Sequence, residues 1–181
     1  MSMFDNLFIL DIANNHQGDI EHGQNIIQSL GEVVRELDVK AALKFQFRQL
    51  ETFIHPDYTD SNENKHIQRF IGTKLIKSDY AKLVGIVRQE GMYAMCTPFD
   101  EESVRLILEM GFDAIKVASC SVTDYPLLET VCNAGLPIVA STGGASIVEI
   151  ERMVHILSSN NAELALEHCV SIYPTPQEKM Q

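Results

Sequence analysis

Short apolar runs alternate along the chain with longer segments of helical period. Leu7-Phe8-Ile9-Leu10-Asp11-Ile12 predicts a strand. Asp19-Ile20-Glu21 is a helix-start signal, and Ile26, Ile27, Leu30, Val33, Val34 and Leu37 then fall on one helical face. Further strands are predicted at Ala41 to Gln46, Met92 to Thr97, Asp113 to Val117, Pro137 to Ala140 and Leu164 to Cys169. Helical patterning fills 67–73 and 78–90, the latter closed by Gly91. Asp100 caps a helix to Met110, and Pro126 sits in the first turn of one that Gly135 ends. Ser146 and Glu149 form a capping box for a last helix to about Ser158. The polar stretch from Leu50 to His66 predicts an active-site loop or lid rather than a linker.

Six short apolar strands with amphipathic crossovers predict a parallel sheet in an α/β protein. A doubly wound nucleotide-binding sheet calls for a glycine-rich first turn. The turn here reads Asn14-Asn15-His16-Gln17-Gly18, and no P-loop occurs elsewhere. The better expectation is a (β/α)8 TIM barrel. Complete barrels run to about 250 residues, so a chain of 181 residues reads as a barrel truncated after about six βα units.

Charge narrows the choice of partner. Twenty-five acidic residues against 14 Lys and Arg give a formal net charge of -11, which argues against nucleic acid because such a surface repels phosphate backbones. A small anion held by a few inward lysines remains compatible with it. No apolar run approaches the roughly 20 residues of a membrane span, and residues 1–6 show no signal peptide. Cys96, Cys120, Cys132 and Cys169 form no CxxC pair. They read as reduced, cytoplasmic and structural, with Cys96, Cys120 and Cys169 at the ends of apolar runs where thiols are commonly buried.

Barrel enzymes take their catalytic groups from the C-terminal ends of the strands. Those ends here supply Asp11, Lys44 and Gln46, Thr97, Lys116 and Ser119, Ser141 and Thr142, then His168, Ser171 and Tyr173. Lys44 and Lys116 are each a charge inside an apolar strand, where lysine is almost never left unpaired. They fall on alternate strands, so an anion between them is expected. The alternatives are an ion pair with Asp11 or lysines turned to an outer rim. Ser141-Thr142-Gly143-Gly144 can offer backbone N–H groups and two hydroxyls to an anion, or can simply be a turn. Asp11 is a candidate general base, a lysine partner, or both. His16 reads first as a loop brace, with ligand or proton donor as alternatives. Tyr173 either lines a pocket or packs as an ordinary aromatic residue.

Six ordered motifs now coincide. Ile12-Ala13-Asn14-Asn15-His16-Gln17-Gly18, Lys44-Phe45-Gln46, Cys96-Thr97-Pro98-Phe99-Asp100, Lys116-Val117-Ala118-Ser119, Ser141-Thr142-Gly143 and His168-Cys169 through Tyr173-Pro174-Thr175-Pro176 together resemble the N-acetylneuraminate (sialic acid) synthase family, with its legionaminate, pseudaminate and spore-coat relatives. The resemblance implies condensation of phosphoenolpyruvate with an N-acylated amino sugar resembling N-acetylmannosamine, giving a nonulosonic acid and phosphate. It implies that Lys44, Lys116, Thr97, Ser119 and Ser141 hold phosphoenolpyruvate, that Gln46 and Tyr173 contact the sugar, and that Ser171 also lies in the substrate site. It further implies a cytoplasmic enzyme, a homodimer when full length, with small-molecule substrates and no nucleic-acid or membrane partner.

A divalent metal (Mn or Mg) is part of the same expectation, with its ligands beyond Gln181. Residues 1–181 thus read as the N-terminal part of the synthase domain, lacking the last strands and an antifreeze-like domain, and inactive alone. Three positions depart from the family pattern. Asp11 stands where Glu is usual, Ser121 where Glu is usual, and Ser171 where Asn is usual. The alternatives are another phosphoenolpyruvate-dependent synthase acting on a sugar phosphate, for which Arg48 and Lys65 are the candidate cations, and an inactive truncated module.

Overall fold

The computed structural model describes residues 2–58, 64–172 and 174–180. Six strands, β1 (Leu7–Asp11), β2 (Lys40–Phe47), β3 (Tyr93–Pro98), β4 (Ala114–Val117), β5 (Ile138–Ser141) and β6 (Leu164–Glu167), lie side by side in chain order. Every neighbouring pair is parallel. The crossovers carry α1 (Ile20–Glu36), α4 (Lys77–Gln89), α5 (Glu101–Glu109), α6 (Tyr125–Asn133) and α7 (Ile147–Leu157), with two short helices, α2 (Leu50–Phe53) and α3 (Lys65–Gly72), preceding α4.

The period-2 alternation of the strands sorts their side chains into two layers. Leu43, Phe45, Cys96, Ile115, Ile138 and Ala140 join the large cluster shared with the helices, where Ile27, Leu83, Ile107, Leu128 and Met153 are fully buried. Alternate positions, Ala42, Met95, Ala114 and Val139, form a second and smaller cluster with Leu7, Ile9 and Ala165. Met3 and Phe4 pack on this inner cluster, and the Met3 N–H donates to Glu163 just before β6, 3.1 Å away. One segment therefore touches the approaches to both edge strands, as it would in a half-barrel.

Helix boundaries follow the chemistry read from the sequence. Asp19, Asp100 and Asp124 cap α1, α5 and α6 through their side chains, and Ser146 with Glu149 closes a reciprocal capping box on α7. Within the stretch expected as a loop from Leu50 to His66, the described residues, 50–58 and 64–66, include helical structure. The stretch contains α2, a 3-10 turn at Pro56–Tyr58 and the start of α3. Its anchor is Arg48, whose guanidinium carbon lies 4.2 Å from the Phe70 ring centre and 4.4 Å from that of Phe99. Gly18, at φ +76, brings the first βα turn against this segment; a Cβ there would stand 2.9 Å from the Gly72 carbonyl oxygen.

Candidate active site

Continuing the inner face of each strand past its apolar residues leads directly to polar ones. On β1 Ile9 is followed by Asp11; on β2 Ala42 by Lys44 and Gln46; on β3 Met95 by Thr97. On β4 Ala114 is followed by Lys116, on β5 Val139 by Ser141, and on β6 Ala165 by Glu167. The apolar inner layer thus gives way, at the carboxyl ends of all six strands, to a layer of charges and hydroxyls.

The charges are paired within the chain. Lys44 Nζ donates to Asp11 at 2.8 Å, and Lys116 Nζ stands 2.9 Å from Glu167 while also donating to the Ser141 hydroxyl. Ser141 in turn donates to Glu167 at 2.9 Å. The charge argument from sequence asked for an anion between the lysines. The alternative of an Asp11 pair holds for Lys44, and Glu167, not singled out from the sequence, serves Lys116. The signal was present: Glu167 is a lone charge in an apolar run, the same observation that selected both lysines. It was missed because β6 ends at Glu167, whereas the predicted strand ran on to Cys169 and drew attention to His168. Burial raises the Glu167 pKa, but hydrogen bonding and charge from Lys116, the Ser141 hydroxyl and the Lys44 charge outweigh it, leaving a carboxyl that ionises more readily than usual.

A second cluster sits above β4 and β5. The Gly143 N–H donates to the Ser119 hydroxyl at 3.1 Å. A Cβ on Gly143 would stand 3.0 Å from the Ser119 hydroxyl, the Ser171 hydroxyl and the Cys169 Cβ alike. Ser119, Gly143 and Ser171 line a cavity of about 420 Å³. The Thr142 hydroxyl does not face it; it donates to the Glu167 carbonyl at 2.9 Å, so only part of the expected anion-binding turn is open.

Gln46, at the outer end of that polar layer, also borders a second opening. It lines a groove of about 440 Å³ with Arg48 and Tyr80, and its Oε1 accepts from Arg48 at 3.0 Å. Thr97 is buried and register-paired with Gln46. Tyr173 lies outside the described residues.

His16 is fully buried; its Nδ1 accepts from the Gly18 N–H at 3.1 Å and its ring stands perpendicular to Tyr80. Burial first, and the His22 charge second, lower its pKa, so it braces the loop as a neutral ring. Tyr80 is pushed to about 12, chiefly by burial. Of the three cysteines expected to be buried, Cys96 is, Cys169 is only partly so, and Cys120 is exposed because the 3-10 turn Ser119–Ser121 points it outward; Cys132 is buried as well. Among the described residues no three His, Cys, Asp or Glu side chains come together as ligands for a metal ion, and no helix is long and apolar enough to cross a membrane.

The NeuB family matches residues 36–181 of this chain. A protein of Methanocaldococcus jannaschii, MJ1065, is 33% identical over 165 residues, which cover 91% of this chain and 46% of that protein. The N,N'-diacetyllegionaminic acid synthase of Campylobacter jejuni is 26% identical over 94% of this chain and 53% of its own length. This chain therefore spans about half the length of the relatives it matches. Among crystal structures, a spore coat polysaccharide biosynthesis protein E of Chromobacterium violaceum aligns at 42% identity and a TM-score of 0.92 over 96% of this chain and 52% of its own. An N-acetylneuraminic acid synthetase of Leptospira borgpetersenii in complex with citrate aligns at 27% identity and a TM-score of 0.81, over 96% and 56% respectively.

Proposed function

Because this chain belongs to the NeuB family, we propose that it forms the phosphoenolpyruvate-binding part of a (β/α)8-barrel nonulosonic acid synthase whose acceptor is an N-acylated amino sugar. The observation that carries the reading is the pair of lysines on the inner wall, Lys44 and Lys116, with side chains only 12% and 9% exposed in a chain of net charge -11. Both ammonium groups have carboxylate partners, Asp11 and Glu167, that are themselves 49% and 38% exposed, so an incoming anion can still reach the lysines at the strand ends. Lys116 and Ser141 stand together at the strand ends, and Ser119, Ser171 and the Gly143 loop form a small polar cradle beside them. Such donors suit the phosphate and carboxylate of phosphoenolpyruvate.

In this reading the enol carbon of phosphoenolpyruvate attacks the aldehyde carbon of the open-chain sugar. The aldehyde oxygen takes up a proton as that bond forms; the electron-poor carbon left behind takes up water, a carboxylate accepts the water's proton, and the carbon–oxygen bond to phosphate breaks to give the keto group and phosphate. Asp11, 49% exposed and tethered to Lys44, is the proposed base. A divalent metal held elsewhere in the whole synthase would polarise the aldehyde as a Lewis acid; among the described residues no three His, Cys, Asp or Glu side chains assemble to hold it. The acceptor is proposed to lack a phosphate because Arg48 is stacked between Phe70 and Phe99 instead of standing free at the mouth.

The test is binding of phosphoenolpyruvate by titration calorimetry, followed by phosphate release when N-acetylmannosamine or another N-acyl sugar is added. Saturable binding abolished by Lys116→Met is expected. Wild-type protein that binds no phosphoenolpyruvate would overturn the reading.

A further inference from the structure

Glu167 takes no part in the steps above, yet it occupies the groups they rely on. It is the register partner of Ser141 across the β5–β6 pair, and Lys116, one strand further, faces the same wall. Its Oε2 lies 2.9 Å from Lys116 Nζ and accepts from the Ser141 hydroxyl at 2.9 Å. The Lys44 charge also acts on it. The cation and hydroxyl proposed to hold an anion are thus already holding one.

The two partners differ in freedom. The Lys116 side chain is 9% exposed and fixed in the wall, whereas that of Glu167 is 38% exposed and open to water. Without Glu167, Lys116 would be a nearly buried ammonium with a single hydroxyl partner, an arrangement that costs free energy. With a phosphate on Lys116, Glu167 in its present place would set two negative groups against one ammonium.

We infer that Glu167 is a resident counter-ion of this site: it holds Lys116 when the site is free and is displaced by the incoming anion. The inference rests on the anion-site reading above and adds a selectivity to it. A plain carboxylate that replaces Glu167 exchanges one monoanion for another and gains little. A phosphate dianion gains the difference in charge. Glu167 therefore lowers affinity for all anions and leaves phosphates favoured over simple 2-oxo acids.

The experiment is titration calorimetry of the folded chain with phosphoenolpyruvate, inorganic phosphate and pyruvate, using wild type, Glu167→Gln, Glu167→Ala and Lys116→Met. Circular dichroism checks that each variant is folded. Glu167→Gln keeps the shape and a hydrogen bond to Ser141, so one of the two substitutions should survive folding. Phosphoenolpyruvate and phosphate are expected to bind about tenfold or more tightly to both, the scale of one charge-assisted hydrogen bond, and pyruvate binding is expected to become measurable. Unchanged or weaker phosphoenolpyruvate binding in both Glu167 variants, with wild-type binding still lost in Lys116→Met, overturns the counter-ion role alone. Lys116→Met that binds phosphoenolpyruvate as wild type does overturns the anion site, and the counter-ion role with it.

Discussion

Two glycines of opposite circumstance test the packing of the site directly. Gly143→Ala places a Cβ 3.0 Å from Ser119 Oγ, Ser171 Oγ and Cys169 Cβ. Those contacts are several tenths of an ångström too close, and the third is with an atom held by its own backbone. Either serine can rotate away, but Ser119 then releases the Gly143 N–H that it accepts at 3.1 Å. Overpacking of this kind costs about 1–3 kcal/mol, partly offset by about 0.4–1 kcal/mol from the stiffer unfolded chain. Gly85 lies inside α4 with nothing within 4 Å of the position its Cβ would take. Gly85→Ala should instead stabilise by about 0.5–1 kcal/mol through helix propensity. For a domain of this size about 2–4 °C follows per kcal/mol. Differential scanning calorimetry should therefore show Gly143→Ala melting up to about 10 °C below wild type, with about 4 °C at mid-range, and Gly85→Ala about 1–4 °C above it. The reasoning is refuted if Gly143→Ala melts at or above wild type, for the three-way contact would then not be present.

Phe45 is fully buried and meets Tyr80 and Phe112 edge-on at ring separations of 6.3 and 5.9 Å; Phe45→Ala should cost about 3–5 kcal/mol in urea unfolding, and a loss under 1 kcal/mol would contradict the packing. His16 has a lowered pKa in the folded protein, so between that value and the unfolded value near 6.5 the unfolded state binds more protons. Stability should then be fully present above pH about 6.5 and fall as the solution is acidified, and His16→Asn, which keeps an acceptor for Gly18, should show a shallower fall; equal slopes in the two proteins would sink this account. Iodoacetamide should alkylate Cys120 in the native chain, while Cys96, fully buried and with its thiol pKa pushed up by that burial, reacts only after denaturation; peptide mass spectrometry reads the order, and early labelling of Cys96 would count against it.

The amino-acid pattern by itself determined the succession of six strands and their crossover helices. Each is specified locally: Asp19, Asp100, Asp124 and Ser146 satisfy the first N–H groups of helices α1, α5, α6 and α7, and the apolar runs of four to eight residues between them have the length and composition of strands covered on both faces. The polar strand ends were legible for the same reason, since a lysine inside an apolar run announces itself wherever the strand is placed. Pairing was legible only as an alternative, with Asp11 open to either lysine and Glu167 unremarked, because it depends on which residues face each other across the curl of the sheet. Asp11 meets Lys44 because β1 and β2 are adjacent in register, and Glu167 meets Lys116 because β6 follows β5 with Ser141 between them. The helical form of 50–58 and the outward turn of Cys120 were likewise not legible, the first resting on Phe53 packing against Phe70, Phe99 and Arg48 and the second on a single 3-10 turn. Local sequence sets backbone hydrogen bonding and periodicity; only the closed geometry decides which charge neutralises which.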